Sequence, residues 1–193
     1  MEDKRSLGAR TLLFPTPALV VGSYDADDRP DVMTVAWGGI CCSKPPSVMV
    51  SIRPSRLTYA NIMLHRAFTV SVPGAAHVRE VDYIGQVSGR DADMFAVTGL
   101  TPVPAGSVHA PYVGEFPVAL ECRVTHVVDL GAHTLFVGEI LDVKADATAL
   151  DSEGKLDIEA IGLVTYIPGL ERYFGLGPSL GKAFEVGKAF RSG

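Results

Sequence analysis

The densest anion-binding chemistry in the chain is Ser51-Ile52-Arg53-Pro54-Ser55-Arg56-Leu57-Thr58, where two arginines three residues apart alternate with hydroxyls. The segment reads as a corner. Ser47 to Arg53 alternates as a strand, with Val48, Val50 and Ile52 on one face, and Pro54 ends it. Leu57, Ile62 and Leu64 then suggest a short amphipathic helix, with Ser55 placed to cap it. A helix start offers unpaired N–H groups and the positive end of a dipole. Arginine adds a planar fork that suits phosphate oxygens. Together these can hold one phosphate monoester. A solvated, capped corner has the same composition, and local chemistry leaves both readings open.

A second stretch, Asp31-Val32-Met33-Thr34-Val35-Ala36-Trp37-Gly38-Gly39-Ile40-Cys41-Cys42-Ser43, holds the only tryptophan. Glycine in a strand lets another backbone or a flat ligand come close, and backbone amides there can match the polar edge of a ring. A buried core strand with a bulge at the glycines reads the same way. Ser88-Gly89-Arg90-Asp91 precedes a third candidate helix, with Ser88 or Asp91 available as its cap. Adjacent Cys41 and Cys42 lack the spacing of a metal knuckle, and Cys122 is remote. Cys41 and Cys42 are expected as packed, buried thiols. The five histidines (His65, His77, His109, His126, His133) form no HExxH pair, and there is no GxSxG, P-loop or GxGxxG.

The elements that must position these residues are mostly short strands between turns. Ala18–Tyr24 and Val32–Cys42 flank Asp25–Pro30 as a hairpin, and Val118–Val128 and Leu135–Val143 flank a second turn. Ala67–Val72 is a further strand, and Val78–Val87 and Asp91–Val97 are two short helices. This is a mainly β pattern with small helices, pointing to one antiparallel barrel domain over residues 1–193. The Gly-rich tail, about 168–193, carries aromatics that should pack on the body or on a partner chain. With 47% hydrophobic residues, a sizeable core is expected. A net charge of −5 argues against nucleic-acid binding. No long apolar run suggests a membrane span or a leader, and three cysteines make no disulfide framework. A cytoplasmic protein is expected.

In order, TVAWGGICCSKPP, VSIRPSRLTYANI, FTVSVP, IGQVSGRDADMF and the tail ERYFGLGPSLG resemble the flavin reductase-like, FMN-binding split-barrel family, most closely its flavoredoxin branch. The resemblance implies a six-stranded antiparallel split β-barrel of Greek-key character. It implies a homodimer with non-covalent FMN at the interface. Carried over by position, Met33, Thr34, Val35, Ala36 and Trp37 would line the flavin ring, with Cys42 and Ser43 near its polar edge. Ser51, Arg53, Arg56, Leu57 and Thr58 would hold ribityl and phosphate, Ser88 and Gly89 would close the other side, and Tyr173 would cover the ring. Relatives often carry Asp-Lys-Phe where this chain has Asp93-Met94-Phe95, and threonine with a β-branched residue at Ile40 and Cys41. Both changes make the site more apolar. The implied activity is a flavin-dependent oxidoreductase fed by NAD(P)H or a redox protein. A non-catalytic flavin or haem carrier on the same barrel is the alternative. The resemblance carries over no acid or base residue, and no metal is expected.

Overall fold

The structure is a computed structural model that describes residues 3–191. Its centre is an antiparallel sheet of seven strands. In chain order these are β2 (Leu19–Tyr24), β3 (Pro30–Val35), β4 (Gly38–Ser43), β5 (Pro46–Ile52), β6 (Ala67–Val72), β9 (Val118–Asp129) and β10 (Thr134–Ala145). Across the sheet the order is β3-β2-β6-β9-β10-β5-β4. The run expected as one strand from Val32 to Cys42 is broken at Ala36-Trp37. Its second half turns away as β4, one strand more than the six expected, and pairs along β5. At this break the Trp37 carbonyl accepts a hydrogen bond from the Ser51 amide (2.8 Å), tying the two ends of the sheet together. The barrel therefore closes on one side and stays split elsewhere. The bulge falls at Ile40–Cys42, not at the glycines.

Helix α1 (Leu57–His65) follows β5 and α2 (Val78–Gln86) follows β6. Helix α3 (Met94–Thr98) comes next, then a small hairpin of β7 (Pro102–Pro104) and β8 (Pro111–Val113). Helix α1 begins after Arg56 with no side-chain cap, so Ser55 does not take that role. Asp93, rather than Ser88 or Asp91, caps α3 by accepting from the Ala96 amide. After the β9–β10 hairpin, α4 (Ile158–Ile161) leads to β11 (Val164–Ile167) and β12 (Arg172–Gly175). These two strands form a separate sheet with β1 (Thr16–Pro17). Tyr173 in the tail pairs opposite Tyr166 and packs on the body, whereas Phe184 and Phe190 further along are exposed.

Two large apolar cores result, beside a small third cluster of Val118, Ala149 and Ile161. Val21, Met33, Val35, Val50, Ile52 and Phe68 fill the barrel with Phe136. Val20, Val32, Val81, Ile84, Met94 and Phe95 pack the helices on its outside. The alternation of β3 divides it between the two, with Met33 and Val35 inward and Val32 outward. Of the cysteines only Cys122 is buried. Cys41 and Cys42 are exposed, because β4 pairs on one side only and lies at the sheet edge. Among the described residues no helix is long and apolar enough to cross a membrane.

Candidate functional site

Where β3 breaks into β4, the backbone is poorly covered. A groove of about 450 Å³ runs past Ala36, Trp37, Gly38, Met49 and Ser51, and the N-terminal stretch Arg10–Leu13 forms its outer wall. A second groove of about 440 Å³ lies between Thr34, helix α2 at Asp82 and Gly85, and Tyr166 and Tyr173 of the small sheet. Ala36 borders both, so the two meet there. Volumes of this size lie in the ~300–1,000 Å³ range of small-molecule sites.

Glycine shapes the floor. A Cβ at Gly38 would sit 3.1 Å from the Met49 carbonyl oxygen and 3.2 Å from a Leu19 methyl. At Gly39 a Cβ would meet nothing within 4 Å. Gly38 thus lies close against β5 with no side chain to fill the groove it borders, while Gly39 faces open space outside both grooves. Trp37 and Met49 supply apolar contact, Ser51 a hydroxyl and Arg10 a cation. These groups fit a planar ring with a polar edge and an anionic tail.

Polar contacts hold the second groove open. The Thr34 hydroxyl donates to the Val81 carbonyl (2.6 Å), fixing α2 against β3. Tyr173 donates its hydroxyl to Asp82 (3.1 Å), and Gln86 donates to the other Asp82 oxygen (2.6 Å). Partial burial, then the Asp82 charge, hold the Tyr173 hydroxyl protonated far above the ordinary tyrosine range.

The Arg56–Thr58 segment lies at a different corner, against Asp31. Asp31 is only 4% exposed and accepts a hydrogen bond from the Thr58 hydroxyl (2.7 Å). Burial pushes its carboxyl up to about 6, against the pull of that bond and of Arg56. Arg56 donates to the carbonyls of Val87 (2.9 Å) and Gly85 (2.5 Å) at the end of α2. That helix has no basic residue in its own last turn, so Arg56 supplies the cation its C-terminus favours. Gly89 packs so tightly here that a Cβ would lie 1.9 Å from Asp31 Oδ1. The adjoining cavity, about 570 Å³, is lined by Asp25, Asp31, Asp91 and Asp93 against only Arg29 and Arg90. Four carboxylates to two guanidinium groups make this a poor place for a phosphate.

The expected site residues thus fall into five groups. Thr34, Ala36, Trp37, Ser51 and Tyr173 line the grooves. Met33 and Val35 line neither groove, since their side chains fill the barrel. Arg56, Leu57, Thr58, Ser88 and Gly89 gather around Asp31 and the end of α2. Arg53 is exposed just past β5, where its charge, after burial, lowers the His133 pKa. Cys42 and Ser43 lie exposed on the β4 edge, away from both grooves. Arg10, Met49, Asp82, Gly85 and Tyr166 were not expected. Asp31 alone left a sign in the sequence, a carboxylate two and four residues before the inward Met33 and Val35.

Comparison with known proteins places this architecture. The profile of the flavin reductase like domain matches residues 10–164. The structure superposes on flavoredoxin of Desulfovibrio vulgaris (Miyazaki F) with a TM-score of 0.92 and 50% identity, covering 96% of this chain and 100% of that one. Flavoredoxin from Methanosarcina acetivorans gives a TM-score of 0.91 at 25% identity, covering 98% of this chain and all of that one. An uncharacterized protein of Archaeoglobus fulgidus is 37% identical over 131 residues, which span 68% of this chain and 73% of that protein.

Proposed function

Since the chain belongs to the flavin reductase like domain family, we propose that it is a flavoprotein oxidoreductase that binds FMN non-covalently in the two grooves meeting at Ala36. The observation that carries the reading is the uncovered strand break at Ala36-Trp37-Gly38, where both grooves border Ala36. The ring lies on this surface, flanked by Thr34, with Tyr173 closing the far groove. Bound FMN supplies electron and hydride transfer; the protein supplies orientation, electrostatics and exclusion of water.

The phosphate belongs with Ser51 and Arg53. Ser51 lines the groove, and Arg53 is exposed two residues on. Arg56, Leu57 and Thr58 act behind them. Two Arg56 nitrogens already serve α2, and Thr58 serves Asp31. Their task is to hold the Ser88-Gly89 turn and the β5–α1 corner in register. Electrons come from a redox protein or from NAD(P)H; the likeness to flavoredoxins favours the redox protein. The functional unit is a homodimer with the flavin at its interface. Ile40 on the β4 edge is 68% exposed, and Leu180 and Phe184 in the tail are 99% and 95% exposed, apolar side chains that a second copy would cover. We place the protein in the cytoplasm, where its three free cysteines stay reduced.

The single tryptophan makes the test direct. Titrating FMN into apoprotein should quench Trp37 fluorescence and saturate at one flavin per chain. A colourless protein whose tryptophan does not respond sinks the proposal. Anaerobic mixing of holoprotein with NADH or NADPH then separates the donors: bleaching by either supports the nucleotide, and none by both leaves the redox protein. Sedimentation of the holoprotein should give twice the chain mass.

A further inference from the structure

We propose that Asp28, His65 and His109 form a binding site for one divalent transition-metal ion, zinc by the chemistry of its donors. Far apart in sequence, these residues meet at the end of the β2–β3 hairpin. One donor atom from each lies within 4.8 Å of the other two. None of the three lines the flavin grooves, so the site stands or falls separately from flavin binding.

Each donor is aimed by its own surroundings. Asp25 builds the hairpin turn: its carboxylate accepts from the Asp27 and Arg29 amides (2.9 Å each) and from the Arg29 guanidinium (2.8 Å). The turn needs nothing from the Asp28 side chain. Asp28 has φ 58°, a left-handed conformation that glycine adopts more easily. Its carboxylate reaches His109 Nε2 at 2.9 Å. His65, in the last turn of α1, has Nε2 3.1 Å from the Asp25 carbonyl oxygen. A ring donating Nε2–H to a backbone carbonyl keeps the Nδ1 lone pair for a metal, the usual outer partner of a ligating histidine. The His109 ring lies between Tyr24 and His65, with centroids 4.9 and 4.8 Å away.

The donor set selects the ion. Two imidazoles and a carboxylate suit Zn²⁺, and three protein ligands leave the fourth tetrahedral position to water. Bonds of about 2.0–2.1 Å put tetrahedral ligands about 3.3 Å apart. The Asp28–His109 separation is already close to that, and the remaining spread closes by small side-chain rotations at an accessible surface. Arg29, the cation next to Asp28 in the turn, is already paired with Asp25 and Asp27. A bound ion would clip together the β2–β3 turn, the end of α1 and the β7–β8 loop.

The test uses tag-free holoprotein, stripped with chelator and dialysed against Zn²⁺, with metal counted per chain. One equivalent is expected. Co²⁺ in its place should give tetrahedral d–d absorption at longer wavelength than the flavin bands. Asp28→Asn and His109→Gln should each weaken binding at least about tenfold, taking the loss of even an outer partner as the lower bound. Glutamine keeps a polar group beside Tyr24 and guards against misfolding. His126→Ala, on exposed β9 and outside the cluster, should change nothing. The proposal is overturned if holoprotein retains no more zinc than the Asp28→Asn/His109→Gln double variant. It is equally overturned if Cys41→Ser/Cys42→Ser is what abolishes binding.

Discussion

Arg53 and Arg56 should separate cleanly when each is replaced by alanine. Arg56 makes two charge-assisted hydrogen bonds to the carbonyls of Gly85 and Val87. Each such bond is worth about 1.5–3 kcal/mol when fully desolvated. Arg56 is only half-buried, and water can take over part of the loss. We therefore expect Arg56→Ala to cost the apoprotein about 2 kcal/mol in all. At about 2–4 °C per kcal/mol for a chain of this size, Tm should fall by about 4–8 °C. Arg53 is exposed, and its loss should leave apoprotein stability within about 0.5 kcal/mol of wild type. The order reverses for flavin. Arg53→Ala removes one of the cations, beside Arg10 in the groove wall, that would face the phosphate, and should weaken FMN binding by about 1.5–3 kcal/mol, roughly one to two decades. Arg56→Ala should weaken it less, through a loosened Ser88-Gly89 turn. Urea or thermal unfolding of apoprotein reads the first quantity, and FMN titration by Trp37 fluorescence reads the second. If Arg56→Ala leaves stability untouched and costs more affinity than Arg53→Ala, the division of labour argued here is wrong.

Asp31 should leave a mark on pH dependence. Its folded-state pKa of about 6 lies above its unfolded value, so folding raises proton affinity and this group penalises folding when ionised. The penalty, about 3 kcal/mol for a gap of about two units, is in force above pH ~6 and fades as pH falls toward ~4. Asp31→Asn should remove that trend from urea midpoints of apoprotein across the window; an unchanged trend in the variant would refute the assignment. Ala36→Val adds bulk at the residue both grooves share, so FMN affinity should drop at least about tenfold in a flavin titration. Normal FMN titration by this variant would move the flavin bed elsewhere. Gly89→Ala would push a methyl onto Asp31 and should cost about 1–3 kcal/mol in a thermal melt. A neutral result would mean the corner is looser than its geometry.

Features that depend on neighbours in sequence were legible before the structure. Turn residues around Asp25–Pro30 and the alternation of Val48, Val50 and Ile52 locate a hairpin and a strand, because period and turn chemistry are local properties. Ser51 and Trp37 were legible as a pair only through the family pattern. Their connection, the Trp37 carbonyl on the Ser51 amide, is a tertiary bond. Arg56 shows the limit most clearly. Its type and spacing point to an anion, yet the acceptors it finds are carbonyls 29 and 31 residues away, at a helix end whose own sequence lacks a cation. Nothing near Arg56 in the sequence records that need. The two exposed thiols are a similar case. Cys41 and Cys42 have the composition of core residues, and only the splitting of β3 from β4 at Ala36-Trp37 puts them on an unpaired edge.

That same break explains why the groove exists. A continuous strand through Ala36 to Ser43 would have carried the sheet past β5 and buried its glycines in the barrel wall. Turning at Trp37 instead lays Gly38 and Gly39 along Met49 and Val50 with one face uncovered. The Arg10–Leu13 stretch and the β1–β11–β12 sheet stand back from that face instead of filling it. Side chains that would close the gap are missing at Gly38, small at Ala36 and already committed at Thr34, which spends its hydroxyl on α2. The opening is therefore a consequence of residue size and of hydrogen bonds satisfied elsewhere. A substitution that adds bulk at Ala36 should shut both grooves at once, because it is the residue they share.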